Sequence, residues 1–224
     1  MVRFINSKIT IIYAMFTISS VLLVIVTHSF LSFMLGINVF LAYIPMFLLW
    51  YLNDLQKAVN YKYMLKKSYL IFIIFVLFFP NTFYIITDFI HISSNQFYTF
   101  NNQYTPVVYS HDIIAYIMVF HIFLASLFGV FAGVYSLAKI KELMINQKLS
   151  KKLSELIIIS IIFLSSVGIY IGRFLRFFSW EIFAPFRILT ELIDDFSWFM
   201  VLFVLIFSVL QYGLYLTKDL IKIS

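Results

Sequence analysis

Long apolar runs separated by short basic connections organise this chain. A helix that crosses a bilayer needs about 20 apolar residues. Six runs meet that length, roughly 9–30, 34–52, 68–91, 112–138, 155–173 and 197–216. The first two nearly merge around 29–37, so their boundary is the least sharply marked. The first run is too long for a cleaved signal peptide and no Ala-x-Ala site follows it, so it reads as an uncleaved anchor. The pattern predicts an all-α, polytopic transmembrane helical bundle of about six spans, forming one integral membrane domain over residues 1–224.

Composition strengthens that reading. The chain is 63% hydrophobic and 12% charged, with a mean hydropathy of +1.00. A soluble domain is nearer half apolar and a quarter charged. The absence of cysteine rules out disulfides, a thiol nucleophile and thiolate metal ligation.

Charge then sets orientation. Arg3 and Lys8, then Lys57, Lys62, Lys66 and Lys67, then Lys139, Lys141, Lys148, Lys151 and Lys152, and finally Lys218 and Lys222 all fall on one side of the alternating spans. They are thirteen of the sixteen cationic residues. Positive loops stay inside, so both termini are expected in the cytoplasm. The scattered lysines suit anionic lipid rather than nucleic acid. Lipid bilayer is thus the expected environment, and the cell membrane the expected location.

The stretch FFPNTFYIITDFIHIS (residues 78–93) breaks the apolar monotony of the third run. As an α-helix it places Asn81, Tyr84, Asp88 and His91 within roughly 80° of arc, with Thr87 beside them. Pro80 removes a backbone donor and is expected to kink the helix. Such a stripe is either interhelical hydrogen bonding or a functional site, since ionisable residues inside a membrane are costly. By depth, Asp88 and His91 belong near the outer interface.

Other candidates fall on the same side. The fourth run opens YSHDIIAY, which brings His111 and Asp112 to that face; Asp112 also suits a helix N-terminus. His121 lies deeper, on a side continued by Ala125, Gly129 and Gly133, and reads as a hydrogen-bonded packing histidine or a ligand. The fifth run ends GRFLRFFSWE, with Gly168 and Gly172 as a close-approach pair. Arg173, Arg176 and Trp180 follow. These arginines depart from the positive-inside pattern. They are expected to pair with Asp88 or Asp112, or to clamp a phosphate or carboxylate. The amphipathic segment 183–196 is expected to lie along the interface. The polar aromatic loop SSNQFYTFNNQYTPVV is long for a plain connection.

PNTFYIITDFIH resembles the PN-x-x-Y-x-x-TD-x-x-H signature of a family of bacterial integral membrane proteins of unknown function. GRFLRFFSWE is similar to a second block of that family, GRFLRWNSWD, with Phe177 and Phe178 in place of Trp-Asn and Glu181 in place of Asp. Tyr109 stands three residues before Asp112, where the family has the two adjacent. The resemblance spans about residues 70–181. It implies an architecture and a set of residues, not a reaction.

Three functions are compatible with these residues. One is a non-catalytic subunit or assembly factor of the cell envelope, with a membrane protein partner. The alternative is an envelope hydrolase or transferase acting on a lipid or lipid-linked substrate. Asp88, His91, His111 and Asp112 would then supply acid–base groups, with a divalent metal on Asp88 and His91. Asn81, Tyr84, Thr87, Arg173, Arg176, Trp180 and Glu181 would hold the substrate. The third is a small transporter, disfavoured by the scarcity of ionisable residues in the cytoplasmic halves of the spans.

Overall fold

The structure is a computed structural model that describes residues 7–58, 61–94, 97–100, 107–177, 181 and 184–220. Among the described residues six helical stretches are long and apolar enough to cross a membrane: Lys8–Thr27, Phe30–Asp54, Ser68–Ile92, Ile113–Asn146, Lys151–Arg173 and Trp198–Asp219. They fall on the six predicted runs. The helices are α1 (Ser7–Thr27), α2 (Phe30–Ala58), α3 (Tyr61–Phe78), α4 (Pro80–Tyr84), α5 (Ile113–Asn146), α6 (Lys151–Arg173), α7 (Pro185–Asp194) and α8 (Trp198–Leu216). The loop before α5 is not plain coil. It contains strands β1 (Tyr98–Phe100) and β2 (Val107–Tyr109), paired antiparallel with Tyr98 opposite Tyr109.

Side-chain oxygens mark several helix starts. Ser150 accepts from the Leu153 amide at 3.2 Å, and Ser197 from the Met200 amide at 3.3 Å. Each satisfies one of the amides that a helix N-terminus leaves without a partner.

The third span is not the continuous α-helix that periodicity suggested. α3 stops at Phe78, and Pro80 opens α4 at its first position, where a missing N–H costs nothing. The Asn81 side-chain amide donates to the Phe78 carbonyl at 3.0 Å, and the Thr82 hydroxyl to the Phe79 carbonyl at 2.8 Å. From Ile85 to Ser94 the chain winds as a 3₁₀ helix.

Glycines let α5 and α6 close on this broken segment from both sides. A Cβ on Gly129 would lie 2.3 Å from the Thr82 carbonyl oxygen, and one on Gly133 would lie 2.4 Å from the Phe83 ring. On α6, a Cβ on Gly168 would meet Pro80 Cγ at 2.8 Å. Any side chain larger than hydrogen at these positions would push the short helix out of its groove.

Around that clamp sit two apolar clusters. One joins α2, α3, α5, α6 and α8 through Leu49, Phe75, Phe79, Leu137, Ile162 and Tyr215. The other joins α1, α2 and α5 through Tyr13, Phe16, Leu35, Val39 and Ile122. At one end of the bundle Lys141 pairs with Glu155, which also accepts from Tyr212 Oη at 3.2 Å. Arg173 lies 18 residues further along α6, about 27 Å away at the rise of an α-helix.

Candidate functional site

Asp88 is the buried centre of the polar stripe, only 3% exposed. Its two oxygens are held by different elements. Arg173 Nη2, at the last residue of α6, donates to Oδ1. Asn38 Nδ2, on α2, donates to Oδ2 at 3.2 Å. A carboxylate this far from water needs such partners, because an unpaired buried charge costs far more than a paired one.

Arg173 is held in turn by Thr87 and Tyr84. Its Nε donates to Thr87 Oγ1 at 2.7 Å. Its guanidinium carbon lies 4.5 Å from the centroid of the Tyr84 ring. That ring approaches Gly172, where a Cβ would be 3.2 Å from Tyr84 Cε2. Thr87 Oγ1 donates onward to the Tyr84 carbonyl at 2.6 Å. A close approach to an aromatic ring combined with two N–H bonds in a fixed fork suits a guanidinium better than an ammonium.

The 3₁₀ winding brings His91 into the same group. Residues three apart eclipse one another in this helix. His91 Nε2 accordingly lies 3.9 Å from Asp88 Oδ1, and its side chain is 43% exposed. His91 thus stands at the mouth of the group and Asp88 at its floor.

The structure therefore joins Tyr84, Thr87, Asp88, His91 and Arg173, and adds Asn38, which the pattern did not single out. A lone amide in an otherwise apolar stretch of α2 was the available signal, since such residues tend to bond across helices.

The remaining candidates lie elsewhere. Asn81 serves the helix break at Phe78. Asp112 is the N-cap of α5, its side chain accepting from the Ile114 amide at 3.0 Å, and it is exposed. His111 is also exposed. No group of three or more His, Asp or Glu residues suited to a metal forms among the described residues. Asp112 takes the helix N-terminal role that its position also suited. The N-terminal amides of α5 bind the Asp112 carboxylate locally. The second span adds Asn38 to the group, while the fourth packs along the same 3₁₀ helix, with Ser126 Oγ donating to the Ile85 carbonyl at 3.4 Å.

Arg176 adopts a left-handed backbone conformation (φ 59°), is exposed, and makes no ion pair among the described residues. Glu181 lies 3.6 Å from Arg187. Trp180 and Phe178 lie outside the described residues. His121 is a buried packing residue, with Nε2 2.8 Å from Ser20 Oγ of α1.

A family model described as "Protein of unknown function (DUF1361)" matches residues 37–214. That match contains every member of the Asp88 group, from Asn38 on α2 to Arg173 on α6. No curated protein and no solved structure matches the chain.

Proposed function

The chain belongs to the DUF1361 family, and we propose that it is a non-catalytic component of a cell envelope, a multi-pass subunit or assembly factor of the cell membrane. In this reading both termini face the cytoplasm and the Asp88 group sits at the outer interface. The distribution of lysine and arginine supports that orientation. The group acts as a polar lock. It fixes α2, the broken third span and the end of α6 in one arrangement, and that arrangement presents the outer face of the bundle to a membrane protein partner.

One observation carries the reading. Both oxygens of Asp88 already accept from side chains of the chain itself, and the carboxylate is buried. A general base or metal ligand needs an oxygen within reach of the substrate or ion. Here Arg173 and Asn38 each take one direction on an oxygen, and burial keeps the remaining lone pairs from open solvent. Buried ion pairs of this kind serve best to specify one packing among several.

The enzyme reading retains one specific support, the approach of His91 to Asp88 at the mouth of the group. An imidazole oriented by a carboxylate is a recurrent acid–base arrangement. The lipid or lipid-linked substrate would then meet His91 first, with no metal required.

A paired substitution separates the two. In cells lacking the chain, Asp88→Asn combined with Arg173→Gln replaces the ion pair by two neutral amides and leaves neither charge stranded. A lock tolerates this exchange, so the paired variant should accumulate in the membrane and restore what loss of the chain removes. An enzyme that works through Asp88 would accumulate equally well and restore nothing.

A further inference from the structure

The helix α7 stands apart from the rest of the fold: none of its residues is buried. At about 100° per residue its side chains sort into three sectors. Ile188 and Leu192 share one, and both are partly buried. Leu192 packs on the cluster of Tyr170, Met200 and Val204. Arg187, Thr190, Glu191 and Asp194 share a second, roughly 100° wide. Between them lies a third, roughly 60° wide, formed by Phe186, Leu189 and Ile193. These three are 84%, 53% and 71% exposed.

We propose that the Phe186–Leu189–Ile193 edge of α7 is a docking surface for the bilayer itself, at the boundary between headgroups and acyl chains on the side where α6 ends and α8 begins. A helix at the corner between a bundle, lipid and water requires three faces in this order. The bundle face is partly buried, the water face is charged, and the remaining apolar face has nothing else to cover it.

Connectivity narrows the occupant to lipid. Both neighbours of α7 are span-length helices, so the helix is held at the level where they leave the membrane. Tyr170 Oη on α6 donates to Asp195 at the end of α7. Near its start, the Arg187 guanidinium carbon lies 5.0 Å from the centroid of the Phe177 ring. The exposed apolar edge runs on through Phe196 and Trp198 into the outward side of α8. A second copy of the chain would have to displace lipid from that whole surface. Charge does not drive the contact, because α7 carries one arginine against Glu191 and Asp194. The inference goes beyond the proposed function and does not depend on it.

The chain has no cysteine, so single-cysteine variants report one position each. Spin labels would be placed at Phe186→Cys, Leu189→Cys, Ile193→Cys, Thr190→Cys and Asp194→Cys in the full chain, reconstituted in phosphatidylcholine vesicles. All five positions are exposed, so none removes a packed side chain. The ratio of relaxation by oxygen to relaxation by a water-soluble nickel chelate should be several-fold higher at 186, 189 and 193 than at 190 and 194. An equal ratio at all five positions would overturn the proposal. So would spin–spin broadening at 189 and 193 that vanishes on dilution with unlabelled protein, because it would put a second copy on this edge.

Discussion

Arg173 and Asp88, 85 residues apart in the chain, meet as a buried ion pair between the end of α6 and the 3₁₀ helix of the third span. Each is held by a further residue, Arg173 by Thr87 and Asp88 by Asn38. Removing one charge therefore strands the other where little water reaches it. Arg173→Gln should lower the stability of the folded protein in mild detergent by about 3–5 kcal/mol. Arg173→Lys should recover only part of that loss. It keeps the charge but gives up the flat contact with Tyr84 and one of the two directed bonds. Thermal unfolding of the purified variants checks the order wild type, Lys, Gln.

Asn38 contributes a single hydrogen bond to a charged acceptor. Asn38→Ala should cost about 1–2 kcal/mol, toward the low end of such bonds because an unfolded helix in detergent finds other partners. The loss should shrink markedly in an Asp88→Asn background. Equal losses in both backgrounds would show that Asn38 acts independently of Asp88.

Gly129 and Gly213 make opposite predictions for the same substitution. A Cβ at Gly129 would press on the backbone oxygen of Thr82, which cannot turn aside, whereas nothing lies within 4 Å of the Cβ position at Gly213. Gly129→Ala should destabilise by about 1–3 kcal/mol. Gly213→Ala should be neutral or stabilising by up to about 1 kcal/mol, the ordinary gain of alanine in a helix. Unfolding curves of the two variants, measured side by side, decide the matter.

Buried Ser20 and His121 tie α1 to α5. Ser20→Ala would leave both ring nitrogens of His121 without a partner among the described residues, since Nδ1 has none there. A loss of about 1–2 kcal/mol is expected. Ser20→Gly should cost at least as much, because glycine within α1 also carries its own helix penalty. A Ser20→Ala protein as stable as wild type would place the imidazole in a water-filled space instead.

The spans were legible because lipid imposes a length on every apolar run. The glycine pairs at 129 and 133 and at 168 and 172 were legible for a related reason, since small residues four apart mark close helix contacts. The pairing of Arg173 with Asp88 was also within reach of the sequence, because a charged residue at the end of an apolar span is costly unless paired. Two things were not. Spacings of three and four fit an α-helix, and nothing in TDFIH distinguishes α winding from 3₁₀ winding. Asn38 stands 50 residues from Asp88, so only the packing of α2 on the broken third span reveals the contact. Asp112 had two readings in the sequence, and the local one, a carboxylate at the start of α5, is the one formed.

The measurement to make is a double-mutant cycle on unfolding stability, with Asp88→Asn, Arg173→Gln and the two combined. If the pair is a lock, each single substitution is strongly destabilising. The combined variant then falls well short of the sum, with a coupling of about 2 kcal/mol or more. An Asp88→Asn protein as stable as wild type, or more stable, would contradict this. It would mark a carboxylate kept for function at the expense of stability.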